Sequence, residues 1–259
     1  MRKLFVCGAF AASVLSVAAP VSAQTTTTSV SAQSAAPEKR WSVDFGIGWD
    51  NTISGNVNSG AIGVLNDQTV VILKNSYEDV YGTGLHMRFG GGYMLDDVSE
   101  LKLTFTFQSL DADLTRMGDI GVSNLYGQYS DYQSLSMDVG YRRYVPIQSQ
   151  PSIRGYGEAL AGIAFVDKTD VILVAPSTNF VMDATDFYDQ TAAFAFGVNA
   201  GVLFDVNPTL SIFTQIGFRY VTGQGDVDQF NDTSLDTIND KSSRWSMPFS
   251  AGIRFRFGT

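Results

Sequence analysis

From Trp41 onward the chain alternates between apolar and polar residues. Trp41, Val43, Phe45, Ile47 and Trp49 share one parity, and Ser42, Asp44, Gly46, Gly48 and Asp50 share the other. A period of two over such a stretch marks a strand with one apolar face. The C-terminal end repeats the pattern, setting Trp245, Met247, Phe249, Ala251, Ile253, Phe255 and Phe257 against Arg244, Ser246, Pro248, Ser250, Gly252, Arg254 and Arg256. A water-soluble sheet would not turn three arginines into its core, so this strand faces a charged interior on one side and an apolar medium on the other.

Six more segments lie between these two. The second, from about Tyr81 to Leu95, sets Leu85, Met87, Phe89 and Tyr93 against His86, Arg88 and Gly90. The third, Glu100 to Leu110, sets Leu101, Leu103, Phe105 and Phe107 against Lys102, Thr104, Thr106 and Gln108. In the fourth, Tyr132 to Val145, the apolar set is Leu135, Met137, Val139 and Tyr141, and the polar set Ser136, Asp138, Gly140 and Arg142. The fifth, Ser152 to Val166, mixes Tyr156 and Leu160 with Arg154 and Glu158 on one parity; the charges turn that parity inward. The sixth, Thr191 to Asp205, carries Phe194, Phe196, Val198, Val202 and Phe204, and the seventh, Thr209 to Val221, carries Leu210, Ile212, Ile216, Phe218 and Tyr220.

The connections alternate too. Asp96 to Ser99, Pro146 to Pro151 and Val206 to Pro208 are short and carry turn residues, whereas 51–80, 111–131, 167–190 and 222–243 are long. Eight strands joined in this way return both ends to one side. The expected fold is all-β: an eight-stranded antiparallel up-and-down transmembrane β-barrel, with short periplasmic turns, long surface loops, an apolar outer band and a polar interior. Closure satisfies the backbone groups that lipid cannot. A ten-stranded barrel using the runs near Val70 and Ile172 is the alternative, and Lys74 and Asp170 count against it. Aromatic residues gather at both strand ends, as interfacial girdles do: Trp41, Tyr93, Tyr144, Phe255 and Phe257 at one, Trp49, Tyr81, Tyr132, Tyr220 and Trp245 at the other.

Composition sharpens this picture. Hydrophobic residues make up 44% of the 259 positions and charged residues only 17%, against roughly 25% in ordinary soluble domains. Mean hydropathy is nevertheless only +0.03, which excludes a bundle of uniformly apolar helices. A formal net charge of -9 disfavours nucleic acid as a partner. Residues 1–23 read as a signal peptide: basic Arg2 and Lys3, an apolar stretch from Leu4 to Ala19, and the small-residue cleavage site Val21-Ser22-Ala23. Cleavage takes the charge from -9 to -11 and removes Cys7, the one cysteine, so no disulfide or thiol chemistry is expected in the exported chain. Residues 24–40, rich in Thr, Ser and Ala, read as a flexible periplasmic leader, and 41–259 as the barrel.

With these features in place, the sequence resembles the small outer-membrane β-barrel families of Gram-negative bacteria, of the OmpA transmembrane-domain and OmpX type. The resemblance rests on the signal peptide, the eight-strand alternation over roughly residues 41 to 257, and the closing strand Ser250-Ala-Gly-Ile-Arg-Phe-Arg-Phe257. It implies an outer-membrane location and an insertion signal read by the barrel-insertion machinery, for which Ile253, Phe255 and Phe257 are the matching residues.

Eight strands enclose an interior that side chains can fill. The inward candidates are Asp44, His86, Arg88, Lys102, Asp138, Arg142, Arg154, Glu158, Arg219 and Arg254, forming either a salt-bridged lumen plug or the lining of a narrow path. Placed by strand depth, Asp44, Arg88, Asp138 and Glu158 come toward one level near Asn199 and Gln215, with Lys102, Arg142, Arg154 and Arg254 lower. His86, the one imidazole, lacks a catalytic partner motif, and Asp111 and Asp113 leave the third strand without an Asp/His pair. No catalytic residue, cofactor or metal is assigned. The long loops carry 17 acidic against four basic residues and read as solvated, with the aspartates at 226, 228, 232, 236 and 240 fitting no EF-hand. The runs Thr69 to Leu73 and Val171 to Ala175 read as hairpins above the membrane or as edges for a partner. The main functional expectation is a non-enzymatic protein of envelope integrity or surface interaction, contacting outer-membrane lipid and lipopolysaccharide and, through its loops, a host or environmental ligand. The competing reading is a small porin for ions or small solutes; an outer-membrane barrel enzyme ranks behind both.

Overall fold

The computed structural model describes residues 40–65, 67–147, 149–227, 234–239 and 242–258; the expected signal peptide and nearly all of the leader lie outside them. Eight strands form the wall: β1 Trp41–Asn58, β2 Thr83–Met94, β3 Ser99–Leu110, β4 Tyr132–Pro146, β5 Ile153–Val166, β6 Thr191–Asp205, β7 Leu210–Val221 and β8 Arg244–Phe257. Each pairs antiparallel with its neighbour in sequence, and β8 returns to β1 from Trp41 opposite Phe257 to Gly55 opposite Arg244, closing the barrel.

Strict alternation follows from lipid outside and a narrow interior inside. Phe45, Phe89, Val139 and Val198 are each half exposed on the outer face, while Asp44, Lys102, Asp138 and Arg254 are buried on the inner one. Ile253, Phe255 and Phe257 stand on the outer face. The apolar belt and polar lumen make this a small outer-membrane β-barrel. Between β7 and β8 the ladder is broken: Ile216 pairs with Phe249 and Arg219 with Ser246, and the intervening positions are unpaired. Pro248, which has no N–H to offer, sits in that gap.

Not every aromatic belongs to a girdle. Trp41, Trp49, Trp245, Phe255 and Phe257 face outward, but Tyr144 is buried inside the lumen, because it shares the inward parity of Asp138 and Arg142. Tyr81 and Tyr132 are buried as well, Tyr132 at the outer end of β4.

The long loops also depart from the solvated reading. They build a second, seven-stranded sheet from the hairpins Ala61–Leu65/Gln68–Ile72, Thr115–Ile120/Ser123–Tyr129 and Thr169–Ala175/Phe180–Asp189, with the short strand Gly225–Asp226 at one edge. The runs at 69–73 and 171–175 therefore flank the middle hairpin, the first pairing with its Thr115–Ile120 strand and the second with its Ser123–Tyr129 strand, rather than crossing the membrane. The three hairpins turn beside Asp67, Gly121 and Asn179, whose φ of 60°, 57° and 52° supply the left-handed step of a tight reversal. Beneath them Val70, Met117, Leu125, Val171, Phe187, Leu235 and Ile238 form an apolar core. Leu235 and Ile238 come from the turn at 234–239, which docks through Ser59 N–H to Ile238 O (2.8 Å) and Asn239 Nδ2 to Phe187 O (3.2 Å). Among the described residues, Asp67, Glu78, Asp111, Asp113, Asp183 and Asp236 are exposed on the outside of this cap, which is why the charge count concealed a core.

Candidate functional site

The functional candidate is the lumen, filled in tiers by side chains that the strand alternation turns inward. At the periplasmic end Asp205 accepts from Arg154 (3.1 Å), Arg256 (2.8 Å) and Ser211 Oγ (2.6 Å). Above it Glu100 is held by Arg254, Tyr144 OH (2.6 Å) and Ser42 Oγ (2.7 Å). Phe213, Leu203 and Met94 pack beside Tyr144 and Tyr156 as an apolar wedge.

The middle tier is the densest. Asp44 accepts from Lys102 and lies 3.7 Å from both Arg142 and Arg254. Glu158 accepts from Arg142 Nε (2.5 Å), Arg88 (3.4 Å) and Asn199 Nδ2 (3.2 Å). The Arg142 guanidinium sits 4.1 Å over the Tyr156 ring, whose hydroxyl is 3.0 Å from Gln215 Oε1. Lys102 and Arg142 thus stand level with Asp44 rather than below it. Gly90 and Gly92 explain the rise: both point inward without a side chain, and the space at Gly90 leaves the Lys102 ammonium free to reach across β2 to Asp44. Of the two carboxylates expected for Arg88, it meets Glu158; Asp138 takes Arg219 instead, through two bonds of 2.9 and 3.2 Å.

The upper tier was not among the sequence candidates. Arg244 donates to Asp50 (2.8 Å), Thr52 Oγ1 (2.8 Å) and Gln108 Oε1 (3.2 Å), and its guanidinium lies 5.1 Å from the Tyr132 ring centre and 5.9 Å from that of Tyr77. Asp50, Glu100, Arg244 and Arg256 all carry the inward parity of their strands, so alternation alone could have supplied them. Tyr77 could not be read that way. It comes from a single helical turn, Tyr77–Val80, started by a capping box in which Ser76 and Asp79 exchange side-chain-to-backbone bonds of 3.2 and 3.0 Å. Tyr77 OH donates to Ser242 O (2.9 Å), Tyr81 OH to Ser130 O (3.1 Å) and Tyr188 OH to Val57 O (2.6 Å). These bonds pin an aromatic lid over the outer mouth. Burial pushes the Tyr77, Tyr81 and Tyr129 phenols up from their ordinary range.

Between the middle and upper tiers lies a chamber of about 40 Å³, large enough for water, lined by Asp50, His86, Arg88, Asn199, Gln215 and Arg219. His86 is buried there and its Nδ1 has no hydrogen-bond partner in the protein. Asp111 and Asp113 are exposed on the cap, away from it. Among the described residues no three His, Cys, Asp or Glu side chains converge as a metal cage.

No protein-family model and no curated protein matches the chain. Among solved structures it is similar to the Neisserial surface protein A (13% identity, 84% of this chain and 97% of that one, TM-score 0.43) and to the outer membrane protein OprG of Pseudomonas aeruginosa (11%, 86% and 98%, 0.44). It is likewise similar to the attachment invasion locus protein Ail of Yersinia pestis, solved with the heparin analogue sucrose octasulfate (12%, 83% and 99%, 0.36). These neighbours are small outer-membrane barrels; the functional reading rests on the side chains described above.

Proposed function

We propose that this protein is exported by its N-terminal signal, inserts through its C-terminal strand, and serves as a non-enzymatic outer-membrane barrel whose interactions are made by the folded cap. The observation that carries this reading is a lumen closed three times over: by the Glu100–Arg254 tier, by the Asp44–Glu158 lattice, and by Arg244 under the tyrosine lid. A lumen so filled leaves little room for solute, and a large share of the chain is spent on the cap instead. Its outer face combines the exposed apolar side chains Ile62, Val64, Leu114, Val122 and Val181 with acidic residues, a mixture suited to a protein or lipopolysaccharide surface. His86, buried in the chamber with Asp50 and Arg88, is in this reading a structural lumen residue. Planar-bilayer recording of the purified chain, set beside the detergent sensitivity of a deletion strain, tests the proposal. Silence with a sensitised strain supports it, and steady stepwise conductance overturns it.

The porin reading keeps one observation in its favour, the polar chamber at His86. In that reading the Arg244–Asp50 bond is a gate, and Arg244→Ala opens stepwise conductance in a silent barrel.

A further inference from the structure

The lipid-facing wall is not evenly filled. On its periplasmic half a groove of about 610 Å³ crosses β1 to β4 and reaches the end of β8, bounded by Val43, Tyr93, Leu101, Leu103, Val139 and Phe257. Its floor is Gly91. The glycines on either side are explained by packing: a Cβ at Gly92 would collide with the Glu100 carboxylate, and one at Gly90 would press within 3.3 Å of the Thr104 hydroxyl. Gly91 differs, because the nearest atom to its Cβ position is Ser42 O at 3.9 Å, an ordinary contact, and its backbone is not left-handed. Neither the fold nor the backbone asks for glycine there, yet its lack of a side chain opens the groove between Phe89 and Tyr93 on the same strand.

The rim supplies a second, independent feature. At the periplasmic end Arg40 Nη1 donates to Tyr93 OH (3.3 Å), and Tyr141 OH donates to Ser99 Oγ (2.9 Å). Arg143 is exposed one step beyond Tyr141 on the same outer face, and the β2–β3 turn brings the exposed Asp96 within electrostatic reach of it. Guanidinium and phenol donors suit a phosphate, and Asp96 with its exposed neighbour Asp97 suits an ammonium.

We infer that this groove binds one acyl chain of a phosphatidylethanolamine from the periplasmic leaflet, with the phosphate at Arg40 and Arg143 and the ammonium at Asp96 and Asp97. The site depends on the short turns being periplasmic and not on what the cap binds. A headgroup with phosphate alone would satisfy the arginines and leave the aspartates facing it; a neutral diacylglycerol would satisfy neither.

Native mass spectrometry of the full chain, released from a detergent carrying equal phosphatidylethanolamine, phosphatidylglycerol and diacylglycerol, tests this. One retained phosphatidylethanolamine per chain is expected, weakened about tenfold by Gly91→Leu, which fills the groove, and about tenfold by Arg40→Gln. Heat-modifiable gel migration checks that each variant folds, and Gly91→Ala with Leu103→Phe replaces Gly91→Leu if it does not. Retention that merely follows the lipid ratio supplied, or that is unchanged in the groove-filling variants, overturns the inference. So does a dimer lost on filling the groove, which would assign it to a second copy.

Discussion

The barrel wall and the cap obey opposite rules, although the same strand serves both. Below the bulge between Thr52 and Ser54, β1 turns Asp44 and Asp50 inward and Phe45, Ile47 and Trp49 outward; above it, Val57 is buried and Asn58 anchors the cap by donating to Leu73 O at 2.6 Å. In the membrane the apolar side meets lipid and the inside must be polar enough to pair its own charges. In water the apolar residues return to the middle and the acids to the surface. The difference teaches that the surrounding solvent, not strand propensity, decides which face of these hairpins is apolar, and a bulge is enough to change allegiance.

The largest expected blow to that contrast is at Glu158, the hub of the middle tier. Glu158→Ala leaves Arg142 and Arg88 without their shared carboxylate, a loss of about 3 to 5 kcal/mol when a buried charge is orphaned, readable as a lower urea midpoint in detergent. Because Arg142 remains, Arg88→Met with Glu158→Met should recover only part of it. Arg88→Met with Asp138→Met should be additive, since Asp138 belongs to Arg219; a coupling in that second pair would refute the assigned partners.

The cap should yield separately. Met117→Ala removes a buried side chain from its core at a cost of about 2 to 5 kcal/mol, and the damage should stay local. Protease would cut the hairpins at 115–129 and 169–189 while the heat-modifiable barrel band persists. Loss of that band at the same temperature as the cap would show the two to be one cooperative unit.

A milder test is alkaline. Tyr77, Tyr81 and Tyr129 hold their protons more tightly folded than unfolded, so their contribution is fully present below the ordinary phenol value near 10 and is lost as pH climbs past it. Ultraviolet titration should show these phenols ionising late and the cap opening with them; normal titration of all the tyrosines would mean the lid is wet. The smallest effect belongs to Lys168, whose bonds to Asp170 (3.3 Å) and Asp186 (3.4 Å) are on the surface. Lys168→Ala should leave protease resistance of the cap unchanged, and a clear loss would mean the outer charges hold the cap as the inner ones hold the barrel.

Most of the wall was legible because alternation is a local property: all eight strands fall within a few residues of their expected limits, except that β1 runs on to Asn58. The fifth strand's parity followed from charge alone, and Tyr156, Glu158 and Leu160 are indeed buried together. Partner identity was less legible, since strand tilt and the bare glycines at 90 and 92 shift which tiers meet. The cap was hidden for another reason. Its core draws on Val70, Met117, Phe187 and Leu235, scattered over four loops, and no local period joins them. The acids between them dominated the reading.

The three left-handed hairpin tips give the protein a use as a display scaffold. Val122 stands fully exposed beside Gly121. Its turn joins strands already held by the cap core, so a peptide spliced in at this point enters an exposed reversal rather than a packed element. A short epitope there would be presented away from the bilayer on a rigid pedestal, readable by antibody on whole cells, with barrel closure left to residues far below it.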